Sequence, residues 1–401
     1  VNGDDLVSNK DANFINSLSG KVAGVNINTS SSGAGGASKV VMRGTRSIEQ
    51  SSNVLYVIDG VPMFNIGGSG DSVFGSNGTT EGIADINPED IESMSVLTGA
   101  AAAALYGNRA YLKTGIMTTE AFSVSTGSEK NQTYFSVSAL NSGGIIPNNS
   151  YNRYNFTFRN TSSLLNGKLL LDAGASYIIQ NDRNMTNQGV YANPLVSAYL
   201  YPRGNDYNDM AMFERFDTRR NIYTQNWNNL LSEFVGQNPY WINYRNRRTN
   251  KKYRYMMNVG LTYKLTDWMN VSGRIRIDNA TNTFEKKYFA STNTTIAGAN
   301  GQYAKIKTDD KQTYGDLMLN INKRFLQDKF SVVANIGASL SDIKQDQTGI
   351  DGPIADNLIP NVFNEYQIDV NREKRSPKGY HEQTKSLFIS VELGWNSQYY
   401  I

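Results

Sequence analysis

The sequence predicts a mainly β protein in which a small N-terminal α+β module precedes a transmembrane antiparallel sheet that closes into a barrel. The chain is rich in Tyr, Gly, Asn and Thr, with 24 Tyr and 35 Gly among 401 residues, and this composition favours strands over helices. Apolar and polar residues alternate strictly and repeatedly after about residue 130. The connections between the alternating runs are short and long in turn, which is typical of outer-membrane barrels.

The N-terminal module begins with a short predicted helix that Asp11 is expected to cap and Gly20 to end. Two strands follow, Val40–Met42 and Val54–Ile58, around a polar turn. The dipeptide Asp59-Gly60 closes the second strand. No catalytic arrangement of side chains is present in this stretch.

Two further stretches of the module have less usual compositions. The run TSSSGAGGAS is a glycine-rich turn rather than a phosphate loop, because Ser38 stands where the GxGxxG pattern needs glycine. Within Ile86–Ala110, Asn87-Pro88 is a good helix start, and Thr98–Tyr106 is predicted to form a second helix.

The alternation is clearest from Tyr253 to Leu265, where every second residue is apolar and the residues between are mostly polar or small. About ten such runs can be found in residues 121–401. They exceed the ~5–6 residues of ordinary strands and match the ~9–11 residues that cross a bilayer at a tilt. A soluble β-sandwich is the alternative, but it does not account for the strand length or for the asymmetry of the connections.

Short and long connections alternate along this part of the chain. The predicted tight turns are Asn166-Gly167, Thr266–Trp268 and Leu326–Lys329. Long polar insertions are predicted within the stretches Ile179–Lys251, Asn279–Lys311 and Ser341–Lys385. Trp268 and Trp395 are expected to anchor the barrel at the membrane interfaces, where aromatic residues form girdles.

Several function classes are disfavoured by composition. No apolar run approaches the ~20 residues of a spanning helix, and a net charge of +3 without a basic run gives no reason to expect nucleic acid. The chain has no Cys and one His, His381, so neither a Cys-ligated nor a multi-His metal site is expected. No Gly-x-Ser-x-Gly motif is present. We therefore expect neither an enzyme nor a cofactor.

Residues 14–110 resemble the SusC-like (SusC/RagA) group of TonB-dependent outer-membrane transporters. The matching pieces are FINSLSGKVAGVNI, SSSGAGGASKVVMRGTRSI, VLYVIDGVPM and INPEDIESMSVLTGAAAAALYGNRA. The stretch NQTYFSVSALNSGGIIPNNSYNRYNF is similar to an early barrel hairpin of these proteins. The following YLKTGIMTTE matches the family pattern only in part.

The resemblance implies a TonB-dependent receptor plug domain at residues 1–119 inside a transmembrane barrel that begins at residue 120. Barrels of this kind have about 22 strands, so residues 120–401 would form part of one. Because an open half-barrel would leave unpaired strand edges in lipid, we expect the chain to be part of a longer protein of the Gram-negative outer membrane.

The implied function is active import of oligomeric nutrients, either glycans or peptides. The implied partners are TonB, which would act through an N-terminal segment, a SusD-like surface lipoprotein, and the lipid bilayer, with transporter–lipoprotein pairs forming dimers. A siderophore or cobalamin receptor of the same architecture is one alternative. A β-rich surface adhesion or structural protein is another.

The candidate site residues fall into two groups. Arg43 and Arg46 are predicted to hold the plug by pairing with acids of the barrel wall, with local pairing inside the plug as the alternative, and Asp59 is predicted to fix a turn. The second group comprises polar and aromatic residues of loops, for which ligand contact, loop packing and contact with the lipoprotein are all open. They are Asn65, Asp71 and Asn77 in the plug loop and Trp227, Tyr240, Trp241 and Tyr244 in the longest barrel insertion.

Overall fold

The computed structural model describes most of the barrel part of the chain and short segments of the N-terminal module. The described residues are 13–19, 25–28, 36, 38–42, 56–58, 61–63, 85–86, 111–187, 189, 191–201, 207–227, 236–326, 329–375, 377–395 and 399–400. Most of the predicted Ile86–Ala110 helical region and the glycine-rich turn lie outside these ranges. No helix in these ranges is long and apolar enough to span a membrane.

A single turn of 3-10 helix, Phe14–Leu18, opens the described part of the module. Its cap is Asn13, whose side chain accepts a hydrogen bond from the backbone N–H of Ile15 at 3.2 Å. The predicted cap, Asp11, lies outside the described residues, and the capping role assigned to it was wrong. The fully buried Asn13 amide also donates to the Ser38 hydroxyl at 3.3 Å, so the cap ties this helix to the strand that follows Ser38.

Two small hairpins make up the described β structure of the module. Strand β1, Val25–Asn28, pairs antiparallel with β2, Lys39–Met42. Strand β3, Tyr56–Ile58, pairs antiparallel with β4, Val61–Met63. Strands are therefore confirmed in both predicted regions. The two predicted strands do not pair with each other, because β2 pairs with β1 and β3 pairs with β4.

The barrel part forms one antiparallel eleven-stranded sheet, called the wall below. Strands follow one another in chain order across it, and short β15 pairs with β14 beside this path. The strands are β5 Ile116–Ser128, β6 Asn131–Gly143, β7 Ser150–Leu164, β8 Leu169–Arg183, β11 Asn246–Thr266, β12 Met269–Phe289, β13 Gly301–Phe325, β14 Phe330–Pro353, β15 Lys374–Arg375, β16 Lys378–Trp395 and β17 Tyr399–Tyr400. The sheet thus contains the predicted set of about ten strands, and β5 crosses the predicted domain boundary at residue 120.

The connection between β8 and β11 carries its own small elements. They are helix α1 Pro194–Tyr199, helix α2 Tyr207–Ala211, the hairpin of β9 Glu214–Asp217 and β10 Ile222–Gln225, and helix α3 Pro239–Tyr244. Helices α1 and α3 both begin with proline and are capped by an asparagine side chain, Asn193 and Asn238 respectively. This pairing of an Asn cap with Pro at the first position is a strong local helix start.

The two faces of the wall differ as the alternation predicted. On β11, Tyr253, Leu265 and the five alternate residues between them are 41% to 49% exposed, and we call the face that carries them the outer face. Lys252 and Arg254 lie on the opposite, inner face and are buried. The thirteen-residue row from Tyr253 to Leu265 is therefore the part of β11 that contacts lipid.

The strands continue well past this row, and the three long insertions lie inside the stretches predicted to contain them. They are 184–245, 290–300 and 354–377, because β12, β13 and β14 extend to 21, 25 and 24 residues. Above the lipid both faces meet water or loops, so polar side chains occupy both and the alternation disappears. The backbone ladder nevertheless continues, as in the pairing of Lys251 with Thr283.

The tightest connections lie at one end of the wall. The turn Leu165–Gly167 joins β7 to β8, with positive φ angles of 51°, 54° and 83° at its three residues. Asn166 and Gly167 tolerate this conformation well, and Leu165 does so at some steric cost. The tight turns predicted at residues 166–167, 266–268 and 326–329 are confirmed as short connections.

We predict that a charge placed in the outer row of β11 will oppose membrane insertion. Val259→Arg should cost about 2–4 kcal/mol of stability, because Val259 lies in the middle of the lipid-contacting row. Thr249→Arg is the control, since Thr249 lies on the same face above the row and should change stability by at most about 1 kcal/mol. The measurement is the fraction of receptor that resists unfolding by detergent without heating. Equal loss in both variants would show that the row does not contact lipid.

Candidate functional site

The most enclosed charged group in the described structure joins the N-terminal module to the inner face of the wall. Asp85 is fully buried, and its backbone carbonyl accepts a hydrogen bond from the Asn155 side chain of β7 at 2.7 Å. Its carboxylate faces β11, on which alternate residues point inward. Asp85 and Ile86 are the described residues between Met63 and Tyr111.

Two cations of β11 share the Asp85 carboxylate. The Lys252 ammonium donates to both oxygens, at 3.1 and 3.0 Å, and Nη1 of Arg254 donates to Oδ2 at 2.8 Å. All three side chains are at most 4% exposed. Buried charges are tolerated only when they are paired and hydrogen-bonded, and here each cation has the module's carboxylate as a partner.

Arg254 is itself held by the neighbouring strand. Its Nε and Nη2 atoms donate to the two oxygens of Asp278 on β12, each at 2.8 Å. Such a bidentate pair fixes the guanidinium plane. Arg276 adds a third cation, 3.8 Å from Asp278. The wall thus presents a preorganised cationic pair to the Asp85 carboxylate, and we call Asp85, Lys252, Arg254 and Asp278 the latch cluster.

The sequence missed Asp85 and predicted a latch of the opposite sign, with Arg43 and Arg46 reaching acids of the wall. Both arginines, together with Asp59, Asn65, Asp71 and Asn77, lie outside the described residues, so their roles stay predictions. A usable signal did exist in the sequence. Lys252 and Arg254 flank the lipid-facing Tyr253, which places two adjacent inner cations at the height of the membrane and requires a buried acid nearby.

The aromatic candidates of the long insertion are described, and they lie together near α3. Tyr240 stacks on Phe213 and on Tyr244, with ring centroids 6.4 Å apart in each pair. Trp227 stacks on Tyr201 at 5.5 Å. These contacts correspond to the loop-packing alternative, although Tyr244 is still 42% exposed.

Trp241 is set apart from the other aromatic candidates. Its side chain is fully buried, and the indole N–H donates to the Thr292 hydroxyl at 3.0 Å. Thr292 in turn donates to Asn246 at the start of β11 at 2.6 Å. Trp241 therefore joins the 184–245 and 290–300 loops and leaves no ring face for a ligand.

A polar cavity of about 600 Å³ lies at the end of the wall that carries the long loops. Its charged lining consists of Lys286, Asp351, Arg372 and Lys374, and Tyr288 and Asn187 contribute polar groups. Lys286 pairs with Asp351 at 2.6 Å. The cavity is thus polar, with an excess of cations, and it lies farther from the short turns than the latch cluster.

A second buried acid lies on the inner face above the lipid-contacting row. Asp182 of β8 accepts a hydrogen bond from Asn250 at 3.2 Å, and its register neighbour on β7 is Tyr151. Burial raises the pKa of the Asp182 carboxyl to about 7, while Asn250 and the nearby cation Lys252 act in the opposite direction. This carboxyl therefore changes charge close to neutral pH.

Comparisons with known proteins place the N-terminal module in a family. Residues 1–111 match the TonB-dependent receptor plug domain. The chain is 35% identical over 120 residues to the TonB-dependent receptor SusC of Bacteroides thetaiotaomicron, and 32% identical over 120 residues to the TonB-dependent receptor P39 of Formosa agariphila. These alignments cover 30% of the chain and 11% and 10% of the two relatives.

Solved structures match the whole chain at low identity. The RagAB peptide importer in its closed-closed state aligns with a TM-score of 0.67 and 16% identity, and its open-open state aligns with 0.64 and 14%. Each alignment covers 100% of this chain and 53% of the other, so the chain spans about half the length of these importers. The shared fold is a plug with part of a barrel. The relatives are receptors and importers rather than enzymes, in agreement with the sequence.

We predict that Asp85→Asn will loosen the module in the barrel. The change leaves Lys252 and Arg254 buried without the module's negative charge, which costs about 3–5 kcal/mol for a buried pair. The measurement is permeability of cells to a large hydrophilic antibiotic that the wild-type receptor excludes, and we expect it to rise.

The matched control for this change is Asp316→Asn. Asp316 is also a buried inner acid, but its partner at 3.0 Å is Arg274, which belongs to the wall itself. Its loss should weaken the wall locally without releasing the module. An equal increase in permeability from both variants would contradict the latch assignment.

We also predict a titration near neutral pH that depends on Asp182. The folded protein binds this proton more tightly than the unfolded chain, so the group destabilises the fold above about pH 7 and this cost is relieved as the pH falls. Asp182→Asn should therefore raise the Tm well above pH 7 and change it little well below. An infrared band of the protonated carboxyl should be lost over the same range in the wild type alone. A pH-independent Tm difference would contradict this prediction.

Proposed function

Because the chain is a SusC-like TonB-dependent receptor of the outer membrane, with its plug and part of its barrel, we propose that it imports oligomeric nutrients in a TonB-driven cycle. The observation that carries this proposal is the latch cluster. A plug residue without solvent exposure is held to the wall by ion pairs, so the passage is closed until the plug moves.

The nature of the contact suits a closure that opens under force. An apolar interface would resist separation in water throughout the movement, because apolar surface is re-exposed as the parts separate. Ion pairs behave differently, since each charge regains hydration once water enters and their attraction in water is only ~1 kcal/mol at 4 Å. A pull on the plug would therefore meet its largest resistance at the start.

The substrate we propose is an oligomer of sugars or amino acids. The polar cavity of about 600 Å³ at the end with the long loops has room for a few residues of such a chain. Its lining of charged, amide and hydroxyl groups suits a hydrophilic ligand. The RagAB structure is that of a peptide importer, which supports the peptide class, and we retain sugar oligomers as the second class.

The outer partner we propose is a SusD-like lipoprotein on the extracellular face, with two such pairs forming a dimer. Exposed apolar side chains on the 354–377 loop support a protein partner there. Tyr366 is 94% exposed, Val370 75% and Ile359 69%. A protein partner that covers these side chains would remove their apolar surface from water.

Uptake by cells that carry the whole receptor tests this proposal. Fluorescently labelled glycan oligomers and short peptides are offered separately, with and without a proton uncoupler. We expect at least one class to accumulate in the periplasm, and accumulation to stop when the uncoupler removes the energy source of TonB. A strain without the receptor gives the baseline. Accumulation that persists with the uncoupler would show passive entry and would overturn the proposal.

A further inference from the structure

Arg248 of β11 has buried donor atoms without partners. Its side chain lies on the inner face and is 4% exposed, and Nε and Nη1 are fully buried without a hydrogen bond. Its backbone is paired with Asn184, whose side chain accepts from the Arg248 N–H at 2.8 Å and whose own N–H donates to the Arg248 carbonyl at 2.9 Å. An unpaired buried guanidinium is costly. Arg254, six residues farther along the same inner face, differs because its donors meet Asp85 and Asp278.

The neighbours of Arg248 do not supply the missing negative charge. Its register partner on β12 is Lys286, and like charges directly opposite each other destabilise a sheet. Lys286 is neutralised by Asp351 at 2.6 Å. Asp182 is the nearby acid, but no ion pair within 4.0 Å joins it to Arg248 in the described part of the chain, and burial keeps its pKa about 7.

The position of Arg248 connects it with the cavity. Lys286, its partner across the strands, and Tyr288, which lies close enough to affect the pKa of Arg248, both line the cavity. Arg372 and Lys374 line the same space, so the surroundings attract an anion. Lys286 and Arg372 have acidic partners, whereas no ion pair within 4.0 Å involves Arg248 or Lys374 among the described residues, so the space has an excess of positive charge that a carboxylate would reduce.

We propose that Arg248 anchors a subsite for a carboxylate of the imported oligomer, at the cavity end of the inner wall. This inference rests on the proposed import function and adds a ligand chemistry to it. The planar guanidinium matches a carboxylate in shape and donor geometry. A uronic acid of a glycan and the C-terminus or acidic side chain of a peptide share this chemistry.

The test is direct binding to the purified full-length receptor in detergent, measured by calorimetry. Two acid probes distinguish a glycan from a peptide as the source of the carboxylate. They are a uronic acid oligomer and a pentapeptide with a free C-terminus. Each is compared with its own neutral derivative, the methyl ester or the C-terminal amide. We expect at least one acid probe to bind on the order of tenfold tighter than its derivative.

Variants then assign the preference to Arg248. Arg248→Gln should remove the difference between acid and neutral probe. Arg247→Gln is the matched control, because Arg247 is the exposed neighbour on the outer face and loses the same charge. Asp182→Asn removes a nearby negative charge and should tighten the binding of the acid probe several-fold. This second variant keeps the test decisive if Arg248→Gln fails to fold.

Four results would overturn the subsite. They are equal binding of acid and neutral probes, an acid preference that survives in Arg248→Gln, no change in acid binding in Asp182→Asn, and displacement of the acid probe by sulfate more readily than by acetate. None of them bears on import, which is measured in cells with the uncoupler. A receptor that imports but shows no acid preference would thus retain the proposed function and lose the subsite.

Discussion

The arrangement depends on one constraint, that charge buried inside the wall must be paired. Asp85 on the plug meets Lys252 and Arg254 on the wall, and Asp278 holds Arg254 in place. Each of these groups would be unstable at its position without the others. The closed position of the plug is therefore selected by the wall's need for a counter-charge as much as by the fit of surfaces.

The same constraint links the membrane face of the wall with its interior. Tyr253 points to lipid because Lys252 and Arg254 point inward, and a slip of one residue in the pairing of β11 would exchange the two sets. Such a slip would place two cations in lipid and would leave Asp85 inside the wall without its ion-pair partners. The charges that hold the plug thus also fix the register of the strand, and folding of the wall and seating of the plug favour each other.

The sequence predicted the structure well where the two faces of a strand meet different environments and the residue pattern alternates. It predicted poorly where both faces meet the same environment. Alternation identified the strands and the lipid-contacting row from Tyr253 to Leu265, because lipid and interior demand opposite residues. It could not locate the ends of β13 and β14, since both faces are polar above the membrane. Trp227, Tyr240, Trp241 and Tyr244 could be grouped from sequence, but only the contact of Trp241 with Thr292 showed which ring is unavailable. Asp85 was missed because its partners lie far away in the chain.

The length of the strands has a consequence for where a substrate is met. The 25 residues of β13 extend about 80 Å along the strand, and at the usual tilt they rise about 60 Å, against an apolar band of ~25 Å. The short turns lie at the periplasmic side, so most of the strand length beyond the apolar band extends on the extracellular side. We therefore expect the long loops, and the polar cavity beside them, to lie well above the lipid-contacting row. A substrate that binds this cavity, as we propose, would be met outside the bilayer and apart from molecules that concentrate in the lipid.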